Sequence, residues 1–524
     1  MLHLLRVLFS LAVAAAPAAA AAQTSATALP SSATAPADSA TSPAAPTSEG
    51  AAIPSPQDTA PPRAGDPVTP PTRPEFTVGT SLEGTDNVDL TPSSRKDSAL
   101  IWTQSGRLRW VRLGTRLSGA IDAALDYDSI FGREGGGVDH AFRATGNARA
   151  RAELLEDLFY VDVQGLARRA LVAPDAPIGA TRAGGRGTTQ LTSLSVSPFL
   201  AHRFGTYAEG ELRYRFRQVF VGSSSIGNQQ THTASARLSS GSFLARQRHA
   251  LSAVVERTSA EVDTNEIDRT TILLDSEFAV TGAIAALTTL GWESVRSPAL
   301  TDDPSGLVAM AGVRLRPARD TTVVLRAGRR YEKGVIDAEV HHAFTPRLAL
   351  TGAYHEGIQS PQQSLTGVDL RYDPQLDAFI DEATKLPIER DDVGLGLGNS
   401  VYRYRRFEAA VVGTYERDRV RIGGTYGWRD FDTGPDQTLW SATAQWSHRL
   451  TRRLGASVSA SYRGSDSGGT TGRTDTAVVG IGADYRLTET AYLLASLRRA
   501  QRWSDREDAG YVENAIVVGL QVKF

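Results

Sequence analysis

TRLSGAIDAALDY, residues 115–127, reads as an extended segment with two unlike faces. Leu117, Gly119, Ile121, Ala123, Leu125 and Tyr127 fall on one side, and Arg116, Ser118, Ala120, Asp122, Ala124 and Asp126 on the other, because successive side chains of a strand point in opposite directions. FRATGNARARA, residues 142–152, divides the same way, with Arg143, Thr145, Asn147, Arg149 and Arg151 opposite alanines and Gly146. So does YAEGELRYRF, residues 207–216, where Glu209, Glu211, Arg213 and Arg215 oppose Ala208, Gly210, Leu212, Tyr214 and Phe216. These segments run roughly twice the length of the about 5 to 6 residues typical of strands in soluble proteins. Strands of about 10 residues with one apolar and one polar face suit a transmembrane barrel, whose outside meets lipid and whose inside meets water. Closing the sheet pairs every backbone group that hydrocarbon would leave unsatisfied.

The connections carry the same message, because barrel turns at one rim are short and those at the other are long. Short ones fall at residues 113–115, 417–419, 451–453 and 487–489, and longer polar ones at 131–137, 171–186, 464–473 and 504–510. Counting from Phe76 to Phe524 predicts an all-β, antiparallel up-and-down barrel of about 22 strands. The alternatives are 18 or 20 if the stretches around Pro198 or residues 239–246 are misread. Trp102, Trp110, Trp292, Trp428, Trp440 and Trp503 lie near predicted strand ends, as interfacial girdles require.

The chain ends in YVENAIVVGLQVKF, which sets Ile516, Val518, Leu520, Val522 and the terminal Phe524 on one face. An amphipathic last strand closing on an aromatic resembles the signal by which outer-membrane barrels are recognised for assembly. Phe524, Val522 and Leu520 are therefore the expected assembly signal, and the barrel-assembly machinery is the expected partner. At the other end, MLHLLR and an apolar Ala-rich stretch give way to Ala20, Ala21 and Ala22, the pattern of a secretory signal peptide over residues 1–22 cut between Ala22 and Gln23. From Gln23 to Pro74 the chain is Ala, Ser, Thr and Pro, with 12 of the 25 prolines. Such a tract buries too little apolar surface to form a core and reads as a disordered linker over residues 23–74. The barrel then occupies residues 75–524. After the signal there is no run of about 18 apolar residues that would make a helical span.

Composition excludes several chemistries. With 56 Lys+Arg against 58 Asp+Glu the net charge is -2, which does not suit a nucleic-acid partner. The absence of Cys removes disulfides, Cys-ligated zinc, iron–sulfur clusters and thiol catalysis. His341 and His342 are adjacent and so point to opposite faces of a strand, which argues against a shared metal or base. No nucleophile, base or metal constellation stands out, so the sequence predicts no enzyme, no cofactor and no metal site.

TSLEGTDNVDLTPSSRKDSALIWTQSGRLRW, at the start of the barrel, resembles the large outer-membrane barrels called putative β-barrel porin 2, in particular the branch associated with PEP-CTERM protein sorting and exopolysaccharide systems. The resemblance includes TDNVDL at 85–90, Lys96 and Asp97, ARAELLEDLFYVDV at 150–163, FTPRLALTGAYHEGI at 344–358, FIDEATKLP at 379–387 and YVEN at 511–514. It thus extends over residues 75–524. Lys385 stands where the family usually has Gly, and TQSGRL lacks the usual Pro-Gly pair. What the resemblance implies is a bacterial outer-membrane barrel, a porin-like channel near exopolysaccharide secretion. A non-conducting structural or adhesion barrel is the alternative, and a barrel enzyme ranks last. The implied partners are outer-membrane lipid, lipopolysaccharide and components of polysaccharide export.

Arginine on the polar face has the most chemical content. Only Lys96, Lys333, Lys385 and Lys523 are lysines, so 52 of the 56 cations are Arg, whose planar fork matches carboxylate and phosphate. Arg143, Arg149, Arg151, Arg213, Arg215 and Arg217 form a candidate lumen charge ladder for an anionic solute or acidic glycan. Asp162, Glu209 and Glu211 lie near them in the strand reading, so ion pairing within the wall competes with selectivity. The longest connection, about 360–395, carries eight acidic residues against Arg371, Lys385 and Arg390. It has no EF-hand spacing and reads as a solvated acidic loop that folds into or over the lumen.

Overall fold

In the computed structural model the alternating segments pair into one closed antiparallel sheet of 22 strands. Residues 73–524 are described, apart from 133–136, 182–186, 224, 225, 245, 374–377, 382–387, 389–395, 398, 399, 469–471 and 507. The signal peptide, its cleavage point at Ala22 and Gln23, and all but the end of the linker lie outside the described residues. Each strand pairs with its sequence neighbour in the barrel. The first, Glu75–Thr85, pairs with Ala99–Arg112 on one side and with the last, Tyr511–Lys523, on the other. The count of 22 is therefore the one the structure adopts, not 18 or 20.

Both doubtful stretches have a local explanation. Pro198 sits within the strand Thr188–Phe204, and the ladder to Ala208–Val221 stops at Val196↔Phe216 and resumes at Phe199↔Arg213 in unchanged register. A proline that cannot donate thus interrupts one ladder without displacing the strand. Residues 239 and 240 end the strand Gln229–Ser240, and 241–244 begin the turn that follows it.

Turns of two to six residues, such as 113–116, 319–320 and 450–453, join strands at the rim that holds both chain ends, whereas 86–98, 172–187 and 360–401 connect them at the other rim. In a membrane barrel the short turns face the periplasm. The shortest connection at the long-loop rim is a two-residue turn: Tyr331 and Glu332 alone join Thr321–Arg330 to Lys333–Thr345, with φ of 52° and 59°. A two-residue turn with both φ positive normally takes Asn or Gly. Here burial of Tyr331 among Ile267, Val295, Leu300, Ile358 and Val401 offsets the backbone cost, and the Arg330 guanidinium lies 4.8 Å from the ring centre.

The two faces of the sheet differ as the sequence predicts. Leu212, Val255, Leu290, Ile422, Ile481 and Ile516, spread around the circumference, are each more than half exposed on the outside. A continuous apolar band of this extent would be an association surface on a soluble protein. Around a barrel it is the lipid face. Trp102, Trp292 and Trp503 are exposed near the long-loop rim, where Trp428 and Trp440 flank Tyr426. Trp110 and Trp446 stand near the other rim, with Phe204, Tyr207 and Phe344. Among the described residues no helix is long and apolar enough to cross a membrane.

Candidate functional site

The inner wall is polar and densely paired. Arg143 bonds Asp128 at 2.8 Å, Arg269 bonds Glu256 at 3.3 Å, and Arg330 bonds Glu293 at 2.7 Å, all with inward side chains. The strands bring five of the six ladder arginines together. Val138–Leu155, Phe159–Leu171, Thr188–Phe204 and Ala208–Val221 are consecutive, and their register places Arg149 beside Gln164, Gln164 beside Ser195, and Ser195 beside Arg217. The next row holds Arg151 beside Asp162 and Asp162 beside Ser197. Arg143 stands apart, with Asp126 and Asp128.

Asp162 is the hub of the cluster. It accepts two hydrogen bonds from Arg151, at 2.7 and 2.8 Å, and one from Arg213 at 3.0 Å, with Arg149 at 3.7 Å. Arg213 also donates to Glu211 at 2.7 Å. Glu209 is drawn off to Arg203, 2.7 Å away at the short-turn rim. The Phe199 ring lies 3.8 Å from the Arg213 guanidinium and 5.2 Å from that of Arg151, within the range of cation–π attraction for both. Phe199 did not stand out in the sequence, although its odd-numbered position shares a face with Ser193, Ser195 and Ser197.

The long connection comes down to this cluster from the opposite rim. Its first turn, Pro361–Thr366, is a short helix closed by a capping box in which Ser360 and Gln363 satisfy each other's backbone. Beyond it Asp369 meets the wall: its Oδ1 accepts from Gln164 Nε2 at 2.5 Å, and its Oδ2 lies 3.2 Å from Arg215. Arg149 donates to the carbonyl of Leu370. Burial alone would raise the Asp369 carboxyl, but Arg215 and then Arg149 hold it well below the usual carboxylate range. The hairpin Leu370–Asp373 and Ala378–Asp381 follows. Leu370 and Phe379 pack on Val111 and Ala120, which lie beside the short-turn rim, so the loop crosses the length of the lumen.

A second loop joins it. In 172–187, Ile178 exchanges hydrogen bonds with the Tyr511 hydroxyl at 2.7 and 2.9 Å, and Ala180 donates to Glu513. This loop thus leaves the fifth strand and reaches the last. Gly396 has φ of 92°, and a Cβ there would come within 2.7 Å of Pro174. Only glycine lets the two loops approach so closely. The acidic residues Asp377, Glu382, Glu389, Asp391 and Asp392, with Lys385 and Arg390, lie outside the described residues. Where the acidic loop is described, it is anchored to the wall.

His341 and His342 point to opposite faces and bond Thr351 and Thr321. Among the described residues no cluster of His, Cys, Asp and Glu is arranged to hold a metal ion.

Residues 437–524 match the family described as putative beta-barrel porin 2. The porin match covers the last five strands and includes Phe524, the C-terminal part of the resemblance read in the sequence. No curated protein matches the chain. Among solved structures, the ferric-catecholate import receptor Fiu of E. coli K12 is 10% identical, with 87% of this chain and 82% of that chain covered and a TM-score of 0.48. The ferric enterobactin receptor PfeA of Pseudomonas aeruginosa gives 8%, 87%, 82% and 0.46, and the FrpB iron transporter of Neisseria meningitidis 10%, 86%, 82% and 0.45. The porin match and the closed barrel with its apolar outer band indicate a bacterial outer-membrane protein.

The last strand presents Ile516, Val518 and Leu520 outward, and Phe524 is 75% exposed while its N–H donates to Phe76 at 2.7 Å. The terminal ring is thus accessible, as the expected assembly signal would need it to be. Deleting Phe524 should lower the amount of heat-modifiable barrel in outer-membrane fractions. Removing Phe524 together with Val522→Ser and Leu520→Ser should lower it further, and unchanged insertion in both would refute the assignment.

Proposed function

We propose that this chain is a porin-like outer-membrane channel serving exopolysaccharide secretion, with the described part of the loop 360–401 seated in its lumen. The supporting observation is the wall itself, lined with paired guanidinium and carboxylate groups as a path for hydrated, charged solute would be. The exopolysaccharide link rests on the sequence resemblance, and with it the partners: lipopolysaccharide and lipid outside, the assembly machinery during insertion, and export components at the periplasmic rim. In this reading the chain is not an enzyme, since Asp162 and Glu211, carboxylates that an acid–base mechanism would draw on, are engaged by arginines.

Planar-bilayer recording under a salt gradient tests the reading. Because Asp162, Glu211 and Asp369 offset the arginines, the anion preference should be modest. Replacing Arg213, Arg215 and Arg217 by Gln should shift the reversal potential toward cations. An unchanged potential in a conducting protein would make these residues wall pairs only. A silent bilayer at all voltages would favour the non-conducting structural or adhesion barrel, which the two inward loops and the strand number also suit, since barrels of about 22 strands commonly hold a plugged lumen.

A further inference from the structure

Asp162 and Glu211 belong to the same strands as the arginines they bind, so they move with the wall. Asp369 does not. It is brought to the wall by a loop, and its two oxygens are taken by two different donors, Gln164 on Oδ1 and Arg215 on Oδ2. One residue further on, Arg149 donates to a neutral oxygen, the carbonyl of Leu370, while the Leu370 N–H donates to Gln164 Oε1 at 3.3 Å. Arg217, 3% exposed on the same inner face, has no ion-pair partner among the described residues. The wall therefore presents a fixed set of donors for a carboxylate flanked by a neutral oxygen, and the pattern is that of a sugar acid. The Asp369 side chain is 37% exposed, which leaves a competing ligand a route to it.

We propose that Gln164, Arg149, Arg215 and Arg217 form a binding site for a sugar carboxylate, occupied in this structure by the chain's own Asp369. The proposal rests on the channel reading, and it names the class of solute that would be recognised on the way through: a uronate-bearing glycan or a free sugar acid. A tethered carboxylate competes at an effective concentration on the order of millimolar. A single free carboxylate is therefore a poor competitor, whereas a chain bearing several can rebind through the neighbouring Arg151 and Arg213. Since Asp369 remains ionised across the physiological range, the competition is one of carboxylate against carboxylate, not of protonation.

Titration calorimetry on the full-length refolded barrel, with tetragalacturonate, galacturonate and maltotetraose as probes, tests this. Asp369→Asn should bind tetragalacturonate at least tenfold more tightly than the wild type. Adding Arg215→Gln should abolish the gain, and maltotetraose should bind to neither. Equal affinity of Asp369→Asn and wild type, or a gain that survives Arg215→Gln, overturns the site. Should Asp369→Asn lose its heat-modifiable fold, the wild type decides alone: weak tetragalacturonate binding that Arg215→Gln removes supports the site, and binding untouched by Arg215→Gln refutes it. Galacturonate bound by Asp369→Asn as tightly as the tetramer identifies a small sugar acid as the ligand, and preference for the tetramer identifies a glycan. Both support the carboxylate site. Bilayer currents from the same preparations separate the two readings, because probe binding in a protein that never conducts retains the site and refutes the channel.

Discussion

Excision of the lumen loop, with residues 361–400 replaced by a short Gly-Ser turn, is expected to raise single-channel conductance several-fold. The effect should be large because the loop does not merely cover the entrance. Its helix packs through Leu365 on Ala170, Leu191 and Val219, and its hairpin packs on Val111 and Ala120 beside the opposite rim. The strands flanking the excision, Leu348–Gln359 and Tyr402–Thr414, are paired through Gln359↔Tyr402, so a short turn can close them without altering the register. The barrel should keep its heat-modifiable migration. A folded variant that conducts no better than the wild type would show that the loop 172–187, or another obstruction, sets the current.

The second large effect concerns stability. Arg269 is 2% exposed and is held by Glu256 at 3.3 Å, by Glu293 at 3.8 Å and by the carbonyl of Ile358 at 2.6 Å. Arg269→Ala should destabilise the barrel by about 3–5 kcal/mol, because Glu256 loses its ion-pair partner inside a buried network. The cost is in the stranded carboxylate more than in the lost attraction. Arg269→Met combined with Glu256→Gln should therefore recover most of the loss. The measurement is the urea midpoint of the barrel folded into lipid vesicles. A single variant within about 0.5 kcal/mol of wild type, the usual range for substitutions away from such networks, would show that water replaces the guanidinium at little cost.

How much of this was legible in the sequence follows from the range of the interactions. The two faces at residues 115–127 are written in a local period of two, and the alternating connections are likewise local, so strand number and inside-outside assignment could be read from one segment at a time. Five of the ladder arginines meet because consecutive hairpins fix their register, and Asp162 was close to them in the strand reading for the same reason. The contact of Asp369 with Arg215 has no such route. It depends on where a long loop comes to rest, and nothing in the spacing of residues 154 positions apart encodes it. The turn at Tyr331 and Glu332 carries none of the residues that announce a tight turn, since its geometry is stabilised by the ring's burial and not by local preference. The acidic connection was expected to be solvated, or to enter or cap the lumen, and its described portion enters.

The seam between the first and last strands bears on how the molecule can come to exist. Residues 77–85 bond residues 515–523, with Glu83 meeting Arg498 at 2.6 Å and Thr85 meeting Glu513 at 2.8 Å across it. The first and last strands are as far apart along the chain as two strands can be, and loop-closure entropy rises with that separation. Until the final residues are available, each end of the growing sheet is an open row of unpaired N–H and C=O groups, facing either hydrocarbon or another chain. Closure is then the last event and a cooperative one, since a partly zipped seam still leaves polar backbone in lipid. Weakening the seam should therefore leave membrane-bound, protease-sensitive sheets in place of smaller barrels, making the first and last strands the point at which biogenesis succeeds or fails as a whole.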